Sequence, residues 1–424
     1  MDILLVGSGG REHALAWKLK QSPRVGELYV APGNGGTSQV AENVAIEAKD
    51  FPNLARFAQE KSIGLTVVTS DDPLAGGIVD FFEHRGLRIW GPSKAAAQIE
   101  WSKSYAKEFM REASIPTAAY KTFDSPSAAL AYVRARSLPI VIKASGLALG
   151  KGVYICKTIE EVQAALDEVM VQKVHKEAGN EVVIEDFLKG EEISIHALTN
   201  GIDHLLFPAS QDHKRAGDGD TGANTGGMGV IAPLPWVTEE IMASIDTKVV
   251  EAAFDFFKQR GINYKGLLYP GIMLTNDGPK VLEFNARFGD PETQVYMRLL
   301  KSDVLDLFEG SLDGDIATLK KSIEWNGGFV VNIVVASGGY PEKYQTGFPI
   351  TGLKEAAQVE DVVIFHAGTK LEGEQLLTSG GRVLGISAVG GTLKQALDRA
   401  YLAADRIQFQ GKYYRKDIGA KALR

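Results

Sequence analysis

Residues 280–294 read KVLEFNARFGDPETQ. Val281 and Leu282 form the end of an apolar strand, and Glu283, Asn285 and Arg287 follow on alternate residues. Alternate side chains of a strand share a face. One face therefore carries a carboxylate, an amide and a guanidinium. Carboxylate and amide oxygens are hard ligands suited to Mg²⁺, which is usually held by one or two such groups plus phosphate oxygens. An arginine one step further can fork onto phosphate or carboxylate. Asp290 and Glu292 follow in a Gly-Asp-Pro-Glu turn. A strand end running into a solvated polar turn would show the same alternation, so the surrounding sequence has to decide.

Working outward, residues 266–274 and 280–282 predict a hairpin over Asn276-Asp277-Gly278, with Asp-Gly as the turn signal. Residues 193–198 and 205–208 predict a second hairpin. Between them lies 211–229, QDHKRAGDGDTGANTGGMG, with six glycines and three aspartates. Its composition is that of a disordered loop. Yet it is pinned between apolar strands, and long loops inside compact domains are usually functional. Thr238 caps a helix whose Ile241, Ile245, Val249 and Phe256 share a face, and 294–300 and 304–310 are helical. Upstream, 102–114 is an amphipathic helix ended by Ile115-Pro116-Thr117. Strand 140–142 ends at Lys143. ASGLALGKG (144–152) follows, then strand 153–156: a mobile lid with amides for phosphates and Lys151 at its tip. Thr158 and Glu161 make a capping box. Strand 182–184 leads into a carboxylate-flanked linker, 185–192. That linker suits a purine nucleoside, or is a solvated hinge.

Residues 1–90 alternate strand and helix, which predicts a parallel sheet with ligands at the strand C-termini. The Gly7–Gly10 turn is not a dinucleotide fingerprint: Glu12 stands where the third glycine would fall, and no acidic residue ends the second strand. It can still offer amides to a phosphate, as can 33–36; the glycines equally suit tight turns alone. Residues 326–424 predict strands at 329–335, 363–367 and 383–389 and a helix at 393–409, an α+β unit without a catalytic cluster. SGGYP (337–341) has no evident physical role.

The 424 residues suggest about three domains. A formal net charge of −7 argues against nucleic acid as a partner. The single Cys156 allows no internal disulfide and suits a reducing cytoplasm. No apolar run is long enough for a membrane span, and the N-terminus lacks the features of a signal. The histidines show no metal spacing, and neither a nucleophile elbow nor a P-loop is present.

The runs GSGGREHALAWKL, APGNGGT, GPSKAAAQIEWSK, IVIKASGLALGKGV, QDHKRAGDGDTGANTGGMG, EFNARFGDPETQ, ASGGYP and GGRVLGISA together resemble the phosphoribosylamine–glycine ligase family of the ATP-grasp superfamily. The resemblance covers essentially the whole chain; RFGDPE (287–292) and 211–229 are its most specific parts. It implies an α/β and α+β multidomain protein. An N-terminal parallel-sheet (pre-ATP-grasp) domain, 1–101, would hold ribose phosphate. An ATP-grasp fold of two α+β subdomains, 102–325, would follow, with 120–193 the small mobile one, and then a small C-terminal α+β domain, 326–424. The implied reaction joins glycine to 5-phosphoribosylamine through glycyl phosphate, with ATP as substrate and Mg²⁺ or Mn²⁺ as cofactor.

By the same resemblance Glu283 and Asn285 are metal ligands, and Arg287, Lys214 and Asp212 stand at the chemistry. Lys103, Lys143, Gly150, Lys151, Gly152, Glu185, Phe187, Leu188, Glu192 and Leu282 surround ATP. Gly9, Gly10, Gly33, Asn34, Gly35, Asp71, Arg215 and Asp290 surround the other substrates. A cytoplasmic monomer without nucleic-acid or membrane partners is expected. Two departures stand out. The family's Gly-Pro-Glu-x-Pro-Leu is Thr69-Ser70-Asp71-Asp72-Pro73-Leu74 here, leaving Asp71 or Asp72 to replace the glutamate. The lid has Ser145 for an aspartate and Leu149 for an alanine.

Overall fold

A computed structural model describes residues 1–147 and 152–423. At the N-terminus, five parallel strands lie in the order Glu42–Asn43, Leu28–Pro32, Ile3–Gly7, Leu65–Val68, Ile89–Trp90. Ile3, Leu4, Leu5 and Val6 are all fully buried. Such a continuous apolar run marks a strand covered on both faces, as the crossover helices of a parallel sheet require.

Residues 120–186 build a second unit around an antiparallel sheet of Tyr120–Phe123, Val182–Asp186, Ile140–Ala144 and Val153–Cys156. Helices Pro126–Arg134 and Ile159–Leu166 pack on it. Thr158 caps the latter by accepting from the Glu161 amide, while the Glu161 carboxylate accepts from the Lys157 amide (2.6 Å). Phe123, Val133, Ile142, Val162 and Ile184 close a core of their own, separate from the two larger ones.

The central sheet pairs Gly266–Thr275 with Gly278–Asn285, Glu191–Ser194 and Ala197–Thr199. The expected 193–198 strand is therefore two strands, and only the second forms a hairpin with His204–Leu206. The 266–285 hairpin carries a bulge: Gly271 pairs with Glu283 and Ile272 with Val281, leaving Leu282 as the extra residue. A bulge breaks strict alternation and re-aims side chains. Here it brings both the Leu282 carbonyl and the Glu283 side chain to one cavity.

A third sheet runs Gln211–Asp212, Gly229–Ala232, Phe329–Ala336, Arg382–Gly390, Val362–His366. It crosses the boundary expected at 325, because Gly229–Ala232 pairs directly with Phe329–Ala336. The stretch 211–229 is not a bare loop: Arg215–Gly217 and Thr221–Asn224 form a small antiparallel hairpin. Short helices Asp71–Gly76, Lys94–Trp101 and Ile316–Ser322 and the hairpin Thr369–Glu372/Gln375–Thr378 gave no periodic signal and were not anticipated. Among the described residues no helix is long and apolar enough to cross a membrane.

Candidate active site

A cleft of about 690 Å³ lies where the small sheet, the central hairpin and the 211–229 segment meet. Lys143, at the end of its strand, has Nζ 2.9 Å from Glu185 Oε1 and donates to the Leu282 carbonyl (2.8 Å). Lys107 Nζ lies 3.1 Å from Glu185 Oε2 and donates to Thr117 Oγ1 (2.7 Å). All three charged side chains are buried. An uncompensated buried charge costs several kcal/mol, so each holds the others in place. Burial pushes the Lys107 ammonium down to about 8, against the opposing pull of Glu185. Lys103, beside the Ser102 cap, is also pushed down by burial. Among the described residues it has no carboxylate within ion-pair distance, which leaves an ammonium for an incoming anion. Phe187, Leu188 and Gly152 line the same cleft. Gly150, Lys151 and Leu149 lie outside the described residues. Ser145 is a tie rather than a ligand: its Oγ accepts from the Ser104 amide (3.1 Å) and its carbonyl from the Lys103 amide (2.6 Å).

Across the cleft, Lys214 bridges two carboxylates, 2.5 Å from Glu192 Oε1 and 3.2 Å from Glu283 Oε1. The Lys214 charge holds Glu283 down to about 2, overcoming burial. Asn285 Oδ1 accepts from Arg287 Nη2 (3.0 Å), and Arg287 Nε sits 2.9 Å from Glu100 Oε1. Glu283 and Asn285 therefore present hard oxygens that already attract cationic partners, a donor set that fits a divalent ion. The turn beyond is not solvated. Gly289, Pro291 and Glu292 are buried, and Glu292 Oε1 accepts from Tyr269 Oη (2.5 Å) and Ser194 Oγ (3.1 Å). Asp212 is raised well above the carboxylate range by burial and by the neighbouring Glu292 charge. Its Oδ1 is buried without a hydrogen-bond donor among the described residues.

A second cavity, about 460 Å³, opens at the C-terminal ends of the first two parallel strands. Gly9, Gly33 and Asn34 line it from one side, Thr369 and Lys370 from the other, and Asp290, Tyr340 and Arg382 are shared with the main cleft. The amides of two glycines here already have partners within the protein. The Gly9 amide donates to Glu12 Oε2 (2.7 Å) and the Gly35 amide to the Thr369 carbonyl (3.1 Å). A Cβ on Gly10 would lie 2.6 Å from the Gln294 side chain. Asn34 is a brace, donating to the Ser8 and His366 carbonyls (both 2.9 Å). Asp71 lines the main cleft, facing the Arg287 and Arg11 charges, whereas Asp72 pairs with Lys49 (3.0 Å) on the surface. Arg215 lines the cleft while donating to the Gly222 carbonyl (2.8 Å).

Arg11, Glu100, Lys107, Tyr340 and Arg382 were not singled out from the sequence. Arg382 donates to the carbonyls of Gly226 (2.6 Å) and Asp290 (2.7 Å), joining three segments far apart in the chain. The runs GGRVLGISA and ASGGYP were its signal and that of Tyr340, with no physical role attached.

Three family descriptions match in sequence along the chain: phosphoribosylglycinamide synthetase N domain over residues 1–100, ATP-grasp (A) domain over 101–293 and C domain over 330–421. The phosphoribosylamine–glycine ligase of Halalkalibacterium halodurans is 48% identical over 423 residues, covering 100% of this chain and 97% of that protein. The chain belongs to the phosphoribosylamine–glycine ligase family. That of Nostoc sp. is 47% identical, covering 99% of each chain. The crystal structure of the ligase from Thermotoga maritima superposes with a TM-score of 0.84 at 33% identity, covering 98% of this chain and 100% of that one. A biotin carboxylase from Campylobacter jejuni superposes at 0.72 with 12% identity, covering 97% and 92%, a likeness of fold alone. Membership in the phosphoribosylamine–glycine ligase family makes the chain an ATP-dependent ligase with the three-part ATP-grasp architecture.

Proposed function

We propose that this protein joins glycine to 5-phosphoribosylamine, releasing ADP and phosphate and giving glycinamide ribonucleotide, in purine biosynthesis. One observation carries the reading at the level of the site: the Glu283–Asn285–Arg287 strand end faces a cleft with buried Lys107 and Lys143 at one end and Lys214 held between Glu192 and Glu283 across it. The glycine carboxylate attacks the γ-phosphorus of ATP, forming glycyl phosphate and ADP. The amine of phosphoribosylamine then attacks the acyl carbon, expelling phosphate and losing a proton. Neither step needs a protein nucleophile, so the work is positioning and charge stabilisation.

Lys103 and Lys143 neutralise phosphate charge. Glu185, Phe187, Leu188, Glu192 and Leu282 hold the adenosine, and Arg287 steadies the transferring group. Glu283 and Asn285 would hold Mg²⁺ or Mn²⁺, which when bound draws charge off the phosphate oxygens. Asp212, Lys214, Arg215 and Asp290 face glycine and the amine, and Asp71 rather than Asp72 takes the ribose. The second cavity, with Gly33 and Arg382, takes the 5-phosphate. The small unit, which has a core of its own and ends at Asp186 rather than at the expected 193 because Glu191–Ser194 pairs into the central sheet, closes as a lid, because acyl phosphates must be shielded from water. Residues 1–101, 102–325 and 326–424 act as three substrate-contacting units of a cytosolic monomer.

The test supplies freshly made phosphoribosylamine, glycine and Mg-ATP and measures ADP. Release that requires both glycine and the amine is expected. ATP turnover driven by bicarbonate without glycine would overturn the reading.

A further inference from the structure

The 215–224 hairpin walls the cleft with Arg215, Asp220 and Asn224, yet has little with which to hold its own shape. It contains almost no apolar surface, and Gly219, Asp220 and Gly222 all have positive φ (68°, 54° and 80°). A two-stranded hairpin of this kind is marginal in isolation, and its glycines carry a high ordering entropy.

What holds it is the segment 413–421. Tyr413 Oη donates to the Ala216 carbonyl (2.7 Å), and Arg415 Nη1 donates to the Arg215 carbonyl (3.0 Å). Asp417 Oδ2 accepts from the Gly219 amide (2.8 Å), and Asp218 Oδ1 accepts from the Lys416 amide (2.8 Å). Asp220 is paired twice, with Arg415 (3.0 Å) and Lys421 (2.9 Å). The tail is itself anchored: Tyr413 bridges to Ala336 of the third sheet, the Ile418 amide donates to Tyr401 Oη (3.0 Å), and the Gly419 amide donates to His213 Nε2 (3.1 Å). At the centre is Arg415, only 1% exposed, forked onto both oxygens of Asp417 (2.8 Å each). A buried, bidentate guanidinium is a rigid fixture, unlike a surface ion pair.

We propose that Arg415 is a positioning residue for the ligation, and that segment 413–421 is a strap that sets the 215–224 hairpin against the glycine and amine end of the cleft. This rests on the ligase reading above. Arg415 touches no substrate; it acts through the Arg215 carbonyl and the Asp220 carboxylate. Lys103, Lys143 and Glu185 at the nucleotide end make no bond to the strap among the described residues; the strap reaches the 185–192 linker only through the exposed, long Lys421–Glu191 pair (3.8 Å), which leaves Arg415 out.

The test uses the full-length enzyme with Arg415→Ala and, separately, Asp220→Asn, whose side chain is partly exposed and tolerant of change. For Arg415→Ala we expect kcat to fall, or KM for glycine to rise, at least tenfold, with KM for ATP within twofold. Amide hydrogen exchange across 215–225 should accelerate at least tenfold. Asp220→Asn should move the same quantities the same way by a smaller factor, and serves if Arg415→Ala does not fold. Unchanged exchange in the hairpin overturns the proposal. So does an equal loss of kcat, glycine affinity and ATP affinity with a lowered Tm, which is what a merely structural role gives. The exchange measurement needs no turnover, so failure of the ligase reading, seen as an inactive wild type, is distinguishable from failure of the strap.

Discussion

At the scale of single residues, Glu283 is the sharpest assignment. It is held ionised by Lys214 and placed at the cleft by the bulge at Leu282. Glu283→Ala is expected to lower kcat about 100-fold or more, the scale of losing one electrostatic stabiliser, while leaving Tm within a few degrees because Lys214 keeps Glu192. Near-full activity would remove Glu283 from the site. Lys107 makes a different prediction. Its folded value of about 8 lies below the ordinary lysine value of 10.5. Between those values the unfolded chain binds more protons than the folded one, so stability rises with pH there. Below about 8 both states are charged and the burial cost is felt in full. Denaturant midpoints measured from pH 7 to 10 should therefore climb more steeply in the wild type than in Lys107→Met; parallel curves would refute this. The alternation of Glu283, Asn285 and Arg287 was legible because period two is written directly in the sequence. Lys107 was not: on an amphipathic helix a buried lysine looks like any lysine on the polar face until Glu185 is brought beneath it.

At the scale of elements, regular strands and long helices were readable from apolar period, and two of their caps from Thr158 and Thr238. The short helices and the 369–378 hairpin carry too little periodic pattern to be read, and the other misreadings share a cause: partners distant in sequence. Residues 215–224 look disordered because their order is supplied from 413–421, about two hundred positions away. The 193–198 strand breaks in two because both halves pair with different parts of Gly266–Thr275. Gly227 shows how tightly the segment is set. It has φ +113°, and a Cβ there would lie 2.5 Å from both Asp212 Oδ1 and Pro291 Cδ. Gly227→Ala should destabilise by about 1–3 kcal/mol and cut activity through displaced Asp212. Gly261→Ala, at φ +69° with nothing within 4 Å, should cost only about 1 kcal/mol or so. Urea midpoints of the two variants, measured side by side, check this; equal losses would show that the close approach is unimportant.

At the scale of the whole molecule, the three-part division was legible from composition and family resemblance, but the shared third sheet was not, because strand pairing across a hundred residues leaves no local trace. A chain ending at 325 should lack cooperative unfolding in urea, since Gly229–Ala232 loses its neighbour Phe329–Ala336; a single sharp transition by tryptophan fluorescence would contradict this. The same sheet has a consequence for how the protein is made. Ribosomes deliver a chain from its N-terminus, and domains generally fold as they emerge. Residues 229–232 must wait for about a hundred more to appear before their partner strand exists, and until then an apolar edge stands open, the usual seed of aggregation. The nascent protein should thus be most dependent on chaperones in this late interval, and the wall of the cleft is complete only once 413–421 have followed.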